Sequence, residues 1–411
     1  MTDNIIIGQS GGPTAVINAS LAGIYSAALK NGKGGVFGML NGVQGLLESR
    51  YIDLKPHIKS DLDIELLKRT PASFLGSCRY KLPDAAHAPE IYERIFAVLN
   101  ELHIRYFIYI GGNDSMDTVC KLSDYAKING LQINFIGVPK TVDNDLPITD
   151  HTPGYGSAAK FVATVTKEII RDTENYDIKN VTVIETMGRH AGWLAAAAAL
   201  AKGWDCEGAD MILLPETDFC KELFLDRVSE LIKKKKRVTI VASEGIKTAD
   251  GRYICDVAGA AAASDAFGHK ALGGAAAVLS YAVSRAFGAK TRAVELSVLQ
   301  RSASHCAAGV DIGEAFRAGE CAVNAAFEGS SGKVVIFDRV CDNPYSIDYR
   351  LTDVQNMANL EKKVPFEWIS GDGTYVSDDS IDYIRPLIQG DSDQAGQVME
   401  AGLPRHLILK G

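Results

Sequence analysis

The chain has 411 residues, which at about 150 residues per domain implies two or three domains or one large two-lobed enzyme. Hydrophobic residues make up 46% and charged residues 23%, ordinary globular usage that excludes a disordered chain, a collagen-like rod or a coiled coil. Lysine and arginine number 43 against 51 aspartates and glutamates, a net charge of −8; the chain is therefore a poor binder of nucleic acid or anionic membranes, which select basic surfaces.

Taken in chain order, short runs rich in Ile and Val stop at glycine or polar clusters. Asn4-Ile5-Ile6-Ile7-Gly8 leads into Gly11-Gly12-Pro13, after which Val16, Ile17, Leu21 and Ile24 recur at helical spacing. A second helix is predicted over 89–101, with Ile91, Ile95, Val98, Leu99 and the adjoining Leu102 on one side. The run 106–110 ends at Gly111-Gly112, and 133–138 ends at Pro139-Lys140. Ser157 caps a predicted helix carrying Ala158, Phe161, Val162, Val165, Ile169 and Ile170. The run 181–185 ends at Met187-Gly188-Arg189, and 238–242 ends at Ser243-Glu244-Gly245. Residues 293–299 read as strand, flanked by Arg292 and Arg301, and the alanine-rich stretches 195–201 and 258–263 as tightly packed helix or loop. Such runs suit strands buried on both faces. Their alternation with helices predicts an α/β fold: two doubly wound lobes, mostly parallel sheets, helices on both faces.

Residues 193–201, the longest near-continuous apolar run, are too few to span a bilayer, and no basic-then-apolar leader follows Met1-Thr2-Asp3-Asn4. The eight cysteines include no CxxC pair. Free thiols in a reducing cytoplasm are expected rather than disulfides or zinc.

Ligands of open parallel sheets bind at strand carboxyl ends. Here those ends combine close-approach glycines, cations and carboxylates, the set that Mg-assisted phosphoryl transfer needs. The turn Gly8-Gln9-Ser10-Gly11-Gly12-Pro13-Thr14 either lets backbone N–H groups approach an anion or simply turns strand into helix. It matches neither GxGxxG nor a P-loop, so a dinucleotide-dependent dehydrogenase is not supported. In Gly111-Gly112-Asn113-Asp114-Ser115, Asp114 holds Mg²⁺ between phosphate oxygens, or the polar trio caps a helix. In Lys140-Thr141-Val142-Asp143-Asn144-Asp145, Asp143 suits a base for an attacking hydroxyl and Lys140 a stabiliser of transferring charge; a salt-bridged turn is the alternative. Gly76-Ser77-Cys78-Arg79-Tyr80-Lys81 is an anion clamp or a plain surface turn. Residues 233–237 read as a solvated cationic helix end. His151, His190 and His305 have no metal-ligand spacing and read as satisfied polar side chains. Arg292 and Arg301 either share one sugar phosphate or stand exposed.

The joint occurrence, in order, of SGGP, LGSCR, GGNDS, PKTVDND, VIETMGR, ASEGI and TRAVELSVLQR resembles the phosphofructokinase family along nearly the whole chain. The resemblance implies phosphoryl transfer to the 1-hydroxyl of fructose 6-phosphate, with Mg²⁺. ATP-using members carry glycine where Asp114 and Lys140 stand here, and both replacements are similar to the pyrophosphate-dependent branch. The physics agrees. A carboxylate at 114 fills the space and repels the charge of an α-phosphate, and the Lys140 ammonium stabilises a transferring pyrophosphate.

Residue by residue, the resemblance implies Gly11, Gly12, Arg79 and Gly112 at the donor phosphates. Thr141, Val142 and Asp143 meet the sugar, Asp143 as proton acceptor. Lys140 and Asp114 complete the catalytic set, and Asn113 and Asp114 are the expected metal residues. Met187, Gly188 and Arg189 line the sugar pocket, and Glu244 bonds sugar hydroxyls. Arg292 and Arg301 bind the 6-phosphate, one of them from the neighbouring subunit of a homodimer or homotetramer. Two departures stand out. Asn113 replaces an acid of the metal site, leaving the metal to Asp114, Asp145 and substrate. Val298 replaces a Tyr or His that touches the sugar phosphate, which weakens acceptor binding or signals another phosphorylated sugar. The expected lobes are 1–150 with about 300–345 for the donor and 151–299 for the sugar phosphate, with 346–411 as a C-terminal extension. An ATP-dependent enzyme and a non-catalytic sugar-phosphate-binding subunit are the alternative readings.

Overall fold

Three consecutive isoleucines near the N-terminus go to two different cores, as a strand covered on both faces requires. In the computed structural model, Ile5 and Ile7 pack with Leu21 and Ile24 of helix Ile17–Lys30 and with Ala318 and Ala322 of helix Gly309–Phe327. Ile6 packs with Ile95 and Leu99 of helix Pro89–Glu101 and with Met116 and Val119 of helix Asn113–Ile128. Each such buried isoleucine contributes about 1.5–3 kcal/mol. The described residues are 3–32, 34–175, 177–257, 274–390 and 398–408; the alanine-rich stretch 258–263 lies outside them.

The main strands are β1 (Asn4–Gln9), β2 (Val36–Met39), β3 (Tyr51–Asp53), β4 (Ile104–Gly111), β5 (Asn134–Pro139), β6 (Asn180–Thr186), β7 (Met211–Leu213), β8 (Arg237–Ser243), β9 (Lys290–Glu295), β10 (Lys333–Asp342) and β11 (Tyr345–Asp353). The chain divides into two compact units. The first holds Met1–Val142, Leu146–Tyr155 and Val310–Glu361, the second Asp143–Asp145, Gly156–Gly309 and Lys362–Gly411. Residues 346–361 and 362–411 thus fall in different units.

In the first unit the strand order is β11-β10-β5-β4-β1-β2-β3. Strands β10, β5, β4, β1 and β2 run parallel, while β3 and β11 are antiparallel edges. From β1 the chain moves first to β2 on one side and later to β4 on the other. The carboxyl ends of β1 and β4 therefore flank a topological switch point, where open sheets bind ligands. In the second unit the order is β7-β8-β6-β9, all parallel, and β6 holds the same switching position. One face of this sheet packs on helices Lys221–Lys234 and Ala275–Phe287 through Phe224, Val228, Leu279 and Val283. The alanine-rich helix Trp193–Ala197 and the 3-10 turn after it are buried. The expected class, mostly parallel sheets flanked by helices, is borne out.

Three local readings need correcting: Ser157 lies inside the helix Tyr155–Thr173 rather than capping it, and its hydroxyl accepts from Ala308 N at 3.1 Å. The strand expected over 293–299 is Lys290–Glu295, because Ser297 at φ 41° turns the chain and Leu299–Ser302 is a helical turn. The cationic run is not simply solvated. Lys235 pairs with Asp210 at 2.7 Å and Glu207 at 3.0 Å, and Lys236 with Asp177 at 2.6 Å.

His151 is buried in the first unit with a carboxylate on each ring nitrogen. Asp150 lies 2.8 Å from Nδ1 and Glu314 2.7 Å from Nε2. Burial alone would lower the imidazole pKa, but the two carboxylates outweigh it and lift it to about 9, so the ring is an imidazolium at neutral pH. Tyr345 donates to Glu314 at 2.7 Å, and Arg339 donates to Asp150 at 2.9 Å. The network ties β10 and β11 to the segment 149–154, whose Thr152 hydroxyl donates to Thr141 O at 2.8 Å.

Candidate active site

The glycine turn after β1 is built by hydrogen bonds from three strand ends of the first unit. Ser10 N donates to Ile110 O (2.9 Å), Gly11 N to Cys78 O (3.1 Å) and Lys140 N to Gly111 O (3.0 Å). The Ser77 hydroxyl donates to Gly11 O at 2.6 Å. These bonds bring Gly11, Gly12, the loop before the exposed Arg79, Gly112 and Lys140 into one group. The Lys140 side chain is 2% exposed, and its ammonium donates to Gly12 O at 2.6 Å. Gly11 sits at φ +78°, and a Cβ there would lie 3.2 Å from Lys140 Nζ, so the bare backbone is what admits the cation. An ammonium and backbone amides grouped at strand ends form an anion cradle.

Asp114 lies in the first turn of helix Asn113–Ile128, partly exposed. Asn113 does something else. Its Nδ2 donates to Leu360 O at 2.6 Å and its Oδ1 accepts from Asn359 N, so its amide already fastens the 359–360 segment.

In the second unit the carboxyl ends of β6 and β8 are locked together. Glu244 N donates to Thr186 O at 2.8 Å, and the Ser243 hydroxyl donates to Gly188 O. Gly188 is at φ +126°, a conformation side chains rarely adopt. Met187 N donates to the buried Gln300 Oε1 at 3.1 Å, which seats the turn bearing Arg301 beside Met187. Glu244 lies among charges. Burial raises its pKa first, Asp143 and Glu185 raise it further, and Arg189 only partly opposes them. The carboxyl is pushed up to about 8, so at neutral pH it is a protonated hydrogen-bond donor. Glu185 accepts from Gly274 N (3.1 Å) and Ala276 N (2.7 Å), and burial lifts its pKa as well.

The raised Glu244 pKa fixes the sign of a stability effect. The folded state keeps a proton that the unfolded chain, titrating near 4.5, releases, so stability falls as pH rises from about 4.5 to about 8. Glu244→Gln should therefore overtake the wild type in thermal midpoint as pH climbs through that window. Melts at about pH 5 and about pH 9 check the crossing.

Among the sequence candidates, Gly11, Gly12, Gly112 and Lys140 come together in the first unit, and Asp143, Met187, Gly188, Arg189 and Glu244 in the second. Arg292 does not join the second group. It faces Thr182 in the strand register, three residues before the Glu185–Glu295 pair, roughly 10 Å back along the strand. There it pairs with Asp172 at 2.6 Å. Val298 is 52% exposed. Gln300 escaped the sequence reading although it lies inside the TRAVELSVLQR motif, and Glu185 was read only as strand. Burial, which a sequence does not display, is what distinguishes them.

A family model described as Phosphofructokinase matches residues 4–326. Over 98% of its length the chain is 40% identical to the pyrophosphate–fructose 6-phosphate 1-phosphotransferase of Halomonas elongata, covering 95% of that protein. The pyrophosphate-dependent phosphofructokinase structure from Marinobacter aquaeolei matches with a TM-score of 0.84 at 37% identity, over 100% of this chain and 98% of that one. The corresponding structure from Nitrosospira multiformis gives 0.85 at 37% identity, over 99% and 96%. With the glycine cradle, the β6–β8 turn and these full-length likenesses in agreement, the chain belongs to the phosphofructokinase family.

Proposed function

We propose that the chain catalyses reversible transfer of a phosphoryl group from pyrophosphate to the 1-hydroxyl of fructose 6-phosphate, giving fructose 1,6-bisphosphate and phosphate. The observation that carries the donor assignment is the Lys140 ammonium, buried and fixed 2.6 Å from Gly12 O where ATP-using relatives carry glycine. Lys140, Arg79 and the amides of Gly12 and Gly112 hold the transferring and leaving phosphates, and Gly11, whose own amide is bonded to Cys78 O, keeps the backbone close enough for them to approach. The Asp114 carboxylate denies room and charge compatibility to a nucleotide α-phosphate.

Asp143 takes the proton of the attacking 1-hydroxyl, and Thr141 and Val142 line its approach. Glu244, protonated, donates to a sugar hydroxyl beside Met187, Gly188 and Arg189. Arg301 takes the 6-phosphate, and Arg292 serves the neighbouring subunit of a homo-oligomer rather than its own. Val298, without a hydrogen-bonding group, leaves that phosphate to the arginines.

Mg²⁺ fits as a substrate-borne ion. No group of three or more His, Cys, Asp or Glu side chains that could hold a metal occurs among the described residues, and Mg²⁺ commonly uses one or two carboxylates with phosphate oxygens and water. Asp114 is the carboxylate we assign, not Asn113, whose amide is spent on residues 359–360. When bound, the ion neutralises phosphate charge. None of the eight cysteines is in a disulfide, in keeping with a cytoplasmic enzyme, and no helix among the described residues is long and apolar enough to cross a membrane.

The test is a matrix of donors and acceptors with Mg²⁺: pyrophosphate or ATP against fructose 6-phosphate or sedoheptulose 7-phosphate, reading the bisphosphate formed. Turnover with pyrophosphate and fructose 6-phosphate, reversed by phosphate and fructose 1,6-bisphosphate, is expected. Turnover with ATP alone would overturn the donor assignment. Preference for the seven-carbon sugar would overturn the acceptor, and silence in every cell would point to a non-catalytic subunit.

A further inference from the structure

The loop carrying the proposed base is held from an unexpected direction. Asn144, between Asp143 and Asp145, is fully buried and sits at φ 51°, a left-handed conformation that asparagine tolerates better than most residues. Both ends of its amide are engaged by the C-terminal segment of the same unit. Nδ2 donates to Tyr383 Oη at 3.0 Å, and Oδ1 accepts from Lys362 Nζ at 3.3 Å. Lys362 N also donates to Asp145 O at 2.6 Å. The clamp is itself braced. Trp193, Trp368 and Tyr383 form an aromatic trio with ring centroids 5.3–6.1 Å apart. Lys362 Nζ lies 5.1 Å from the centre of the Trp193 ring, and Trp193 Nε1 donates to Lys362 O at 3.2 Å.

We infer that Lys362 and Tyr383 are positioning residues for the phosphoryl-transfer step, setting the Asp143–Asp145 loop through the Asn144 amide. The inference rests on the proposed role of Asp143. A left-handed residue between two carboxylates fixes how the chain enters and leaves it. An amide gripped at both ends has one orientation rather than two, so the loop enters the reaction already ordered. The cation–π contact and the ring stack place the two gripping groups before substrate arrives. The C-terminal segment thereby acquires a part in the chemistry without touching substrate.

Three variants test this. Tyr383→Phe removes only the hydroxyl, Lys362→Met removes the ammonium with its charge and its hydrogen bond to Asn144, and Asn144→Gly keeps the left-handed backbone while losing both bonds. Each should lower kcat roughly 10- to 100-fold and leave both KM values unchanged, the mark of geometry lost at the transition state. Adding Tyr383→Phe to Asn144→Gly should cost nothing more, since the partner is already gone. Trp193 and Trp368 supply a second readout. In a Trp204→Phe background they are the only tryptophans left, and Asn144→Gly should shift their emission before any substrate is added, because it releases Tyr383, which is stacked on both rings. Unchanged kcat in all three variants, with Asp143→Asn inactive, would overturn the inference. Additive losses in the double variant would overturn it too. Full activity of Asp143→Asn would instead overturn the base assignment on which it rests.

Discussion

Asp143→Asn is expected to lower kcat by about 10²–10⁴-fold, the range a positioned general base supplies, with little change in either KM. Asparagine keeps the size and most of the hydrogen bonding of the carboxylate but has no site for the proton of the 1-hydroxyl. A collateral effect identifies the charge as the cause. Asp143 is the largest electrostatic contributor, after burial, to the raised Glu244 pKa, so neutralising it should bring Glu244 down from about 8. A pH profile of the residual activity should show its upper transition displaced to lower pH. Steady-state rates across pH measure both effects, and residual turnover within tenfold of wild type would remove Asp143 from the chemistry.

Lys140→Met should cost about 10²–10³-fold in kcat with pyrophosphate, the usual loss on removing one preorganised electrostatic stabiliser. Methionine is close in length, so the Gly11–Gly12 turn keeps its packing. Stability should move little: relief of the cost of burying a charge is offset by the hydrogen bond that Gly12 O loses. A variant that melts close to wild type yet turns over hundreds of times more slowly (about 10²–10³-fold) separates function from folding. Lys140→Gly combined with Asp114→Gly should go further, abolishing pyrophosphate use and opening space for a nucleotide. Unweakened pyrophosphate turnover in that double variant would refute the donor argument.

Residues with short-range signatures were legible in the sequence, and those defined by burial were not. The Ile and Val runs announced β1, β4, β5, β6 and β8 because strands covered on both faces must be apolar throughout. Lys140 and Asp114 stood out because they replace glycine within recognisable motifs. Three features were hidden, each for its own reason. The pairing of Arg292 with Asp172 joins strand β9 to the helix Tyr155–Thr173, 120 positions earlier in the chain, a tertiary contact that no local pattern displays. The use of the Asn113 amide by residues 359–360 joins positions some 246 apart in the chain. The grip of Lys362 and Tyr383 on Asn144 comes from a segment with no phosphate-binding or acid–base pattern of its own.

The seven-stranded order also has a consequence for how the protein is made. Strand β5 finds its outer neighbour only in β10, about 200 residues further along the chain. At a synthesis rate of about 5–20 residues per second, that apolar border waits roughly 10–40 s for its mate on the ribosome. An unmated strand border templates association with other chains. Yield in a heterologous host should therefore respond to holdase chaperones and to slower, cooler expression more than to any change in the finished enzyme.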